Sequence, residues 1–279
     1  MFMQAQSPVA RLAPTMAILL FAIVAPSRTT LGSIATEWDE ASALRYSQAA
    51  IGRTLGDHKF RDTKSSLTSL RDFRGKPLVI NLIYTSCYHT CPVIIQTLAR
   101  SVDVARSALG ADSFAVVTIG FDSQADTPAR MRAYSRSQGV DLANWQFLST
   151  DEATIDALSK DLGFVFYPSP RGFDHLAQTT IIDENGVVYR QVYGASFEPP
   201  AVVEPLKALV FGRKGNLVTI DGLLNRIKLF CTIYDPSSER YRFDYSIFVG
   251  GTIGLLSLLL LAGISIREWR RGRFARGDV

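Results

Sequence analysis

Apolar runs alternate with amphipathic segments along the middle of the chain. The runs at residues 78–84 and 114–121 are almost wholly apolar, which is typical of strands buried on both faces. The triplet Glu184-Asn185-Gly186 separates two further apolar runs and indicates a hairpin turn. The predicted strands are residues 78–84, 114–121, 145–148, 179–183 and 187–193. The predicted helices are residues 93–106, 127–139, 149–162 and 201–211. Strands separated by helices and closed by a hairpin predict an α/β sandwich with a mixed central sheet.

Two helix starts carry specific capping signals. Thr127-Pro128 offers a hydroxyl as the cap and a proline at the first helical position. Ser149-Thr150-Asp151-Glu152 resembles a capping box, with Ser149 as the cap. Both signals predict that a helix follows directly after a strand.

A long uncharged segment lies near the end of the chain. The twenty residues from Ile247 to Ile266 carry no charge, which is long enough to cross a bilayer as a helix. The following tail, 267–279, has five arginines and two acidic residues, so the positive-inside rule places it in the cytoplasm. Tyr241, Tyr245 and Trp269 flank the segment, as expected for aromatic residues at a membrane interface.

The start of the chain also carries an uncharged segment. Residues 12–27 follow Arg11 and are too short for a comfortable membrane span, which favours a secretory signal peptide over residues 1–35. An uncleaved anchor is the alternative. Either version exports the central part of the chain to an oxidising compartment.

These segments predict the domain organisation. The order is a signal peptide or anchor at 1–35, a linker at 36–50, the sandwich domain at 51–212, a juxtamembrane module at 213–245 that contains Cys231, a transmembrane helix at 246–266 and a basic tail at 267–279. With 30 basic and 26 acidic residues the net charge is only +4, and the excess is concentrated in the tail. The chain therefore lacks the basic surface of a nucleic-acid-binding protein.

Two cysteines, Cys87 and Cys91, carry the strongest chemical signal. They lie where the strand at 78–84 gives way to a helix, with Pro92 in the first helical turn. The positive end of a helix favours a thiolate over a thiol. Four residues make about one helical turn, so both sulfurs can face the same way. Such a pair forms a soft-metal half-site or a reversible disulfide. A static structural disulfide is the alternative, although closing so short a loop adds little stability.

The pattern around this pair resembles the Sco/SenC family. The resemblance covers about residues 51–211. It rests on Arg74-Gly75-Lys76-Pro77, Tyr84-Thr85-Ser86-Cys87 with Cys91-Pro92, Asp122 with Asp126-Thr127-Pro128, and Asp174-His175. It implies a membrane-tethered thioredoxin-like domain with a copper site made by Cys87, Cys91 and His175. It also implies a bacterial inner-membrane protein whose domain faces the periplasm.

The chemistry of those three residues agrees with copper. Thiolates favour Cu(I), and an imidazole together with two strongly donating thiolates can also hold Cu(II). Zinc can bind the same three groups. A disulfide offers no thiolate, so metal binding and cysteine oxidation exclude each other.

Two further histidines, two aspartates and the third cysteine are candidates for roles outside the three-residue site. We expect His89 to lie at the surface or to tune the pKa of the cysteines, and His58 to be a solvated loop residue. Asp122 and Asp126 match acidic positions of the family but are not assigned to the metal; Asp126 is expected to support a helix start. Cys231 is expected in an amphipathic helix, where buried packing, an auxiliary copper ligand and an intermolecular disulfide all stay open.

Two functions follow as alternatives. The first is a copper-binding metallochaperone that acts on the dinuclear copper site of a cytochrome c oxidase subunit. It either delivers copper to that site or prepares the thiols of the site. A thiol–disulfide reductant is a further candidate partner. The second is a thiol–disulfide oxidoreductase dedicated to an exported partner. General thioredoxin-like reductases carry a C-x-x-C motif and a cis-proline, whereas this chain has a longer spacing and Gln178 at the position of that proline. A peroxiredoxin-type peroxidase is disfavoured because its single-cysteine motif is missing. Whether the chain is an enzyme therefore stays open.

Overall fold

The computed structural model describes residues 38–140, 144–212, 232–236, 238 and 240–274. The helices are α1 (Glu40–Gln48), α2 (Thr90–Leu109), α3 (Pro128–Ser137), α4 (Glu152–Leu162), α5 (Pro200–Gly212) and α6 (Ser246–Phe274). The strands are β1 (Lys59–Asp62), β2 (Leu67–Ser69), β3 (Leu78–Ile83), β4 (Ala115–Gly120), β5 (Trp145–Ser149), β6 (Phe166–Ser169), β7 (Gly172–His175), β8 (Gln178–Ile182), β9 (Val188–Tyr193), β10 (Thr232–Asp235) and β11 (Arg240–Phe243). A short 3-10 helix, Leu70–Phe73, follows β2.

A seven-stranded mixed sheet forms the centre of the domain, in the order β2-β1-β5-β4-β3-β8-β9. Strands β3, β4 and β5 run parallel, with Leu78 opposite Ala115 at the start of the first pair. Strands β8 and β1 join this group in the antiparallel sense. Every residue of β3 and β4 is buried, as their apolar runs predict. Because β3, β4 and β5 end at the same edge of the sheet, the loops that follow them lie side by side.

Helix α2 positions the cysteine pair by burying one face. Its fully buried side chains recur at helical spacing, at Ile94, Ile95, Leu98 and Val102. Burying each such side chain contributes roughly 1.5–3 kcal/mol. The helix also packs against α5, so it is held both by its buried face and by a neighbouring helix.

One of the two predicted caps is confirmed and the other is wrong. Thr127 caps α3, since its hydroxyl accepts a hydrogen bond from the backbone N–H of Arg130, and Pro128 opens the helix. Helix α4 is capped by Asp151, not by Ser149. Ser149 instead pairs with Arg61 at the end of β5, so the helix begins two residues later than a Ser149 cap predicts.

Part of the predicted linker is helical. Helix α1 lies within 36–50, and its Ser47 is buried. The Ser47 hydroxyl donates to Gln178 Oε1 over 2.6 Å and lies 2.9 Å from the Tyr193 hydroxyl. The linker interpretation is therefore wrong for Glu40–Gln48, because a buried polar network ties this helix to β8 and β9. The Gln178 amide Nε2 also donates to the Leu162 carbonyl oxygen over 3.1 Å, so this side chain joins α4 to the sheet.

Sequence patterning misses the short hairpins. Among the described strands, β6 and β7 pair only with each other, and Phe166 lies opposite His175. Most of their residues are half-buried, so they show no alternation of apolar and polar positions. The β1–β2 and β10–β11 pairs are equally short.

The described C-terminal region consists of one hairpin and one long helix. Tyr234 and Tyr241 of the β10–β11 hairpin pack against the core of the domain. The Lys207 ammonium lies 5.5 Å from the centre of the Tyr241 ring. Among the described residues, Phe248–Arg267 in α6 is the one helical stretch long and apolar enough to cross a membrane. The predicted signal at 1–35 and the predicted helix around Cys231 lie outside the described residues.

Candidate metal and redox site

The two cysteines lie together at the junction of β3 and α2. Cys87 follows β3 in a tight turn, where its N–H donates to the Tyr84 carbonyl oxygen over 3.1 Å. The N–H of Cys91 donates to the Cys87 sulfur over 3.3 Å. Both cysteines are free thiols; Cys87 is 8% exposed and Cys91 is fully buried. The two cysteines therefore lie within hydrogen-bonding distance of each other.

The surroundings divide the pair into a thiolate and a thiol. A hydrogen bond from the Cys91 thiol, helped by backbone N–H groups of Cys91 and His89, lowers the pKa of Cys87 to about 4 although burial opposes this. The Tyr84 hydroxyl stabilises the same thiolate. The same hydrogen bond to Cys87, together with burial, raises the pKa of Cys91. At neutral pH Cys87 is therefore the reactive sulfur, and Cys91 keeps its proton.

Asp126 holds the cysteine loop in place. Its Oδ1 accepts hydrogen bonds from the Thr85 backbone N–H over 2.8 Å and from the Thr85 hydroxyl over 2.7 Å. Its Oδ2 accepts from the Asp122 N–H over 3.0 Å. The interpretation of Asp126 as support for a helix start is therefore wrong, because Thr127 caps α3 and the Asp126 carboxylate reaches across to the loop after β3.

A glycine makes room for this carboxylate. A Cβ placed on Gly120, the last residue of β4, would collide with the Cβ and carboxyl carbon of Asp126. Asp126 is only 1% exposed, and burial raises its pKa despite the three hydrogen bonds. A buried carboxyl group of this kind stays in place only when its donors are supplied by the fold.

His175 lies at the end of β7, among aromatic rings. Its ring centroid is 5.3 Å from that of Phe121 and 6.0 Å from that of Tyr84. Its Nδ1 lies 2.8 Å from the Leu176 carbonyl oxygen, which can only accept, so Nδ1 carries the proton. Burial lowers the pKa of the imidazole, which favours the neutral ring. The other nitrogen, Nε2, is therefore left with a lone pair, as in a metal-ligating histidine.

Tyr84 connects His175 to the cysteines. Its hydroxyl interacts with Cys87, and its ring stands edge-on to His175. Among the described residues, no three histidine, cysteine, aspartate or glutamate side chains are grouped closely enough to hold a metal ion. The structure thus brings Cys87 and Cys91 together and places His175 in the adjacent aromatic layer. The imidazole is not close enough to the two sulfurs for all three to bind one metal ion in this conformation.

An open cavity of about 560 Å³ lies between the cysteine loop and the β6–β7 hairpin. Of the three predicted ligands, only Cys87 lines it. The lining residues are Tyr84, Ser86, Cys87, Tyr88, His89, Thr90, Ser169, Arg171, Phe173 and Asp174. A partner therefore reaches the pair through the Cys87 sulfur.

The other two histidines differ in exposure. The His89 side chain is exposed, in keeping with the predicted surface position. His58 is not a solvated loop residue: its side chain is 10% exposed, and its Nε2 lies 2.7 Å from Asp161 Oδ2. That prediction is wrong because the partner lies 103 residues away, beyond the reach of local patterning.

Sequence reasoning missed Tyr84 and Gly172 as site residues. A Cβ on Gly172 would lie 2.7 Å from the Tyr84 hydroxyl oxygen, so the glycine lets the β6–β7 hairpin close over the tyrosine. Tyr84 ended the predicted strand and belonged to the Tyr84-Thr85-Ser86-Cys87 motif of the family resemblance, but nothing in the sequence indicated its contact with Gly172. The contact itself depends on a fold that brings two distant segments together.

Comparison with known proteins gives a family and a fold. The SCO1/SenC family model matches residues 47–210. No curated protein sequence matches the chain. A structure from Aquifex aeolicus VF5 is 22% identical, with a TM-score of 0.53, over 60% of this chain and 98% of that chain.

Two further solved structures are similar. A SCO1/SenC family lipoprotein from Bacillus anthracis is 22% identical, with a TM-score of 0.52, over 57% of this chain and 95% of that chain. Bradyrhizobium japonicum ScoI with copper bound is 22% identical, with a TM-score of 0.49, over 56% of this chain and 99% of that chain. At this identity, the two structures with TM-scores above 0.5 speak for the fold alone, and they agree with the predicted thioredoxin-like sandwich. Because the family model covers more than half of the sequence and spans both cysteines and His175, this chain belongs to the SCO1/SenC family.

Proposed function

We propose that the protein is a membrane-anchored copper carrier that binds copper through Cys87, Cys91 and His175. Its task is to deliver copper to, or to prepare the thiols of, the dinuclear copper site of a cytochrome c oxidase subunit. The observation that carries this proposal is the pairing of the Cys87 thiolate with the Cys91 thiol, next to the aromatic layer that holds the neutral imidazole of His175. Family membership supports the destination, since Sco proteins are named as cytochrome c oxidase assembly proteins.

The two sulfurs supply the soft part of the donor set. Cys87 is ionised and lines the cavity, so it meets an incoming copper ion first. As the Cys91 sulfur binds, its thiol proton leaves to solvent, and the metal takes the place that the proton held between the sulfurs. Thiolate ligands of this kind select Cu(I) over the harder cations.

The imidazole completes the set by a movement of the β6–β7 hairpin. This hairpin forms a separate two-stranded sheet, so a small shift leaves the hydrogen bonds of the central sheet intact. The hydrogen bond from Nδ1 to the Leu176 carbonyl moves with it and keeps the lone pair on Nε2. When copper binds, the hairpin that carries His175 therefore moves toward the two sulfurs, which keep their positions.

A copper titration tests this proposal. The full chain, reduced and in detergent without oxygen, is titrated with Cu(I) in competition with bicinchoninate. We expect one tight site per chain that is lost in Cys87→Ala and Cys91→Ala and weakened in His175→Ala. His58→Gln is the matched control, because it removes an imidazole far along the chain from the pair and keeps a hydrogen-bonding group for Asp161. Unchanged affinity and spectrum in His175→Ala would remove this residue from the site.

The unequal thiols also favour a second function, a dedicated thiol–disulfide oxidoreductase. The Cys87 thiolate attacks a target disulfide and forms a mixed disulfide, while the released target thiolate takes up a proton. Cys91 then loses its proton and attacks the Cys87 sulfur, which frees the second target thiol. The target gains two electrons, and the Cys87–Cys91 disulfide that remains needs a thiol reductant before the next cycle. Catalytic reduction of a general disulfide substrate at enzyme-like rates would favour this function.

A further inference from the structure

The cavity at the cysteine loop exposes a different pair of metal-binding side chains from the predicted inner site. Cys87 and His89 both line it, whereas Cys91 and His175 do not. Cys91 is fully buried behind Cys87, and His175 is packed among aromatic rings. A metal ion that arrives from solvent therefore meets one sulfur and one imidazole before it meets the other two ligands.

The backbone fixes the position of His89 relative to the Cys87 sulfur. The His89 N–H stabilises the Cys87 thiolate, so this residue is held beside the sulfur through its main chain. His89 is the residue that precedes α2, yet its side chain makes no capping hydrogen bond to the helix. His89 is exposed and lines the cavity, and its imidazole is not occupied by a capping role.

We propose that His89 is the capture and release ligand for Cu(I), acting with Cys87 at the mouth of the cavity before the ion moves inward to Cys91 and His175. The inference rests on the proposed copper-carrier function and adds a second, outer position to it. Cu(I) accepts two-coordinate binding by a thiolate and an imidazole, both of which are soft or borderline donors.

The inward step is a ligand exchange in which no electron moves. The bond from copper to the Cys87 sulfur persists throughout. The bond from copper to the His89 nitrogen breaks as the bond to the Cys91 sulfur forms, and the Cys91 thiol proton passes to solvent. Release to a partner runs the same exchange in reverse. His89 accelerates both directions because its side chain is exposed to solvent, whereas the Cys91 sulfur is fully buried.

The test separates the rate of copper uptake from the equilibrium affinity. The full chain carrying Cys231→Ser is reduced, held in detergent without oxygen, and mixed with the Cu(I)–bicinchoninate complex in a stopped-flow instrument. We expect His89→Gln to slow uptake by about tenfold, the lower end of the effect of losing a group that supports a metal site. Its affinity at equilibrium should stay within a factor of about two, because the inner ligands are intact. His89→Met, which restores a soft ligand, should recover most of the rate.

A neighbouring substitution serves as the matched control. Val93 is 47% exposed in the first turn of α2 and does not line the cavity, so Val93→Thr should leave the uptake rate unchanged. An unchanged rate in His89→Gln would overturn the inference while leaving the carrier function in place. A loss of affinity in His89→Gln as large as the loss of rate would also overturn it, since His89 would then be an equilibrium ligand. Failure of the unsubstituted chain to bind copper would instead remove the proposed function itself.

Discussion

One oxygen of the Asp126 carboxylate accepts two hydrogen bonds from Thr85, at 2.8 Å from the amide nitrogen and 2.7 Å from the hydroxyl. Thr85 lies two residues before Cys87, and Asp126 lies in the loop after β4, just before the cap of α3. The contact therefore locks the cysteine loop to a neighbouring loop at the edge of the sheet. The position of the reactive sulfur depends on a carboxylate 41 residues away from the residue it holds.

Replacing Asp126 should loosen the loop and destabilise the fold. Asp126→Ala leaves the backbone N–H groups of Thr85 and Asp122 without an acceptor, at roughly 1–3 kcal/mol for each buried unpaired donor. Thr85→Val removes only the hydroxyl bond and should cost about 1 kcal/mol. Urea unfolding of the full chain in detergent, followed by tryptophan fluorescence, measures both losses.

Asp156→Asn is the control for charge removal, since Asp156 is exposed on α4. It should leave the unfolding midpoint unchanged. A midpoint for Asp126→Ala equal to that of the control would show that the hydrogen bonds to Thr85 contribute nothing to stability.

Ionisation of Cys87 should make the stability of the reduced protein depend on pH. The pKa of this thiol falls from 9.0 to about 4 on folding, so the folded state favours the thiolate. The stabilisation is fully present above pH 9, shrinks as the pH falls toward 4, and is absent below that value. The urea midpoint of the reduced protein should therefore rise between pH 5 and pH 8 by more than that of Cys87→Ser.

The difference between the two chains isolates Cys87 from the other titrating groups. His175 also favours its neutral form on folding because of burial, and this part is common to both chains; only the small influence of the Cys87 charge on His175 differs between them. Cys91→Ala should raise the pKa of Cys87 toward its ordinary value, because it removes the largest stabilising hydrogen bond. Iodoacetamide labelling in a Cys231→Ser background follows this change, and equal labelling with and without Cys91 at pH 6 would refute the assignment.

The fold was predictable where the signal is local. The strands β3 and β4 are long apolar runs. The dipeptide Asn185-Gly186 predicted the turn of the β8–β9 hairpin, and Gly186 has a φ of +77° there. Thr127-Pro128 predicted the start of α3 because the cap and the proline act within one turn. In each case the deciding residues are neighbours in the sequence.

The remainder depends on contacts that a local pattern does not contain. Ser149 and Asp151 are both able to cap α4, and pairing of Ser149 with β1 decides between them. The β6–β7 hairpin is half-buried because it lies over an aromatic layer, so its own residues show no period. The position of His175 relative to the cysteines follows from that hairpin and could not be derived from the spacing of the residues.

Adding a methyl group at Gly172 should disturb the site through Tyr84. The new Cβ would lie 2.7 Å from the Tyr84 hydroxyl oxygen, so either the hairpin or the ring must move. Displacing the hydroxyl removes a group that stabilises the Cys87 thiolate. We expect Gly172→Ala to raise the pKa of Cys87 and to weaken Cu(I) binding, measured by iodoacetamide labelling and bicinchoninate competition.

Gly139→Ala controls for backbone strain alone. Gly139 also has a positive φ, +66°, but a Cβ there meets no atom of the described residues within 4 Å. Both substitutions place an alanine at a positive φ and therefore strain the backbone, whereas only Gly172→Ala meets a side chain of the site. Equal copper affinity in the two variants would show that the contact with Tyr84 does not matter to the site.

Helix α6 should anchor the chain with its basic tail in the cytoplasm. The stretch Phe248–Arg267 is apolar and exposed along its length, so burial in lipid accounts for its composition. Leu256→Arg with Leu260→Arg places two charges at its centre, each costing about 2.5–3.5 kcal/mol on insertion. In a bacterial host we expect this double variant to leave the membrane fraction, while Leu256→Ile with Leu260→Ile stays.

A fluorescent reporter fused after Val279 should be active and an alkaline phosphatase at the same point inactive, because only the former folds in the cytoplasm. Retention of the arginine variant in the membrane would mean that another segment anchors the chain, and an active phosphatase would reverse the predicted orientation.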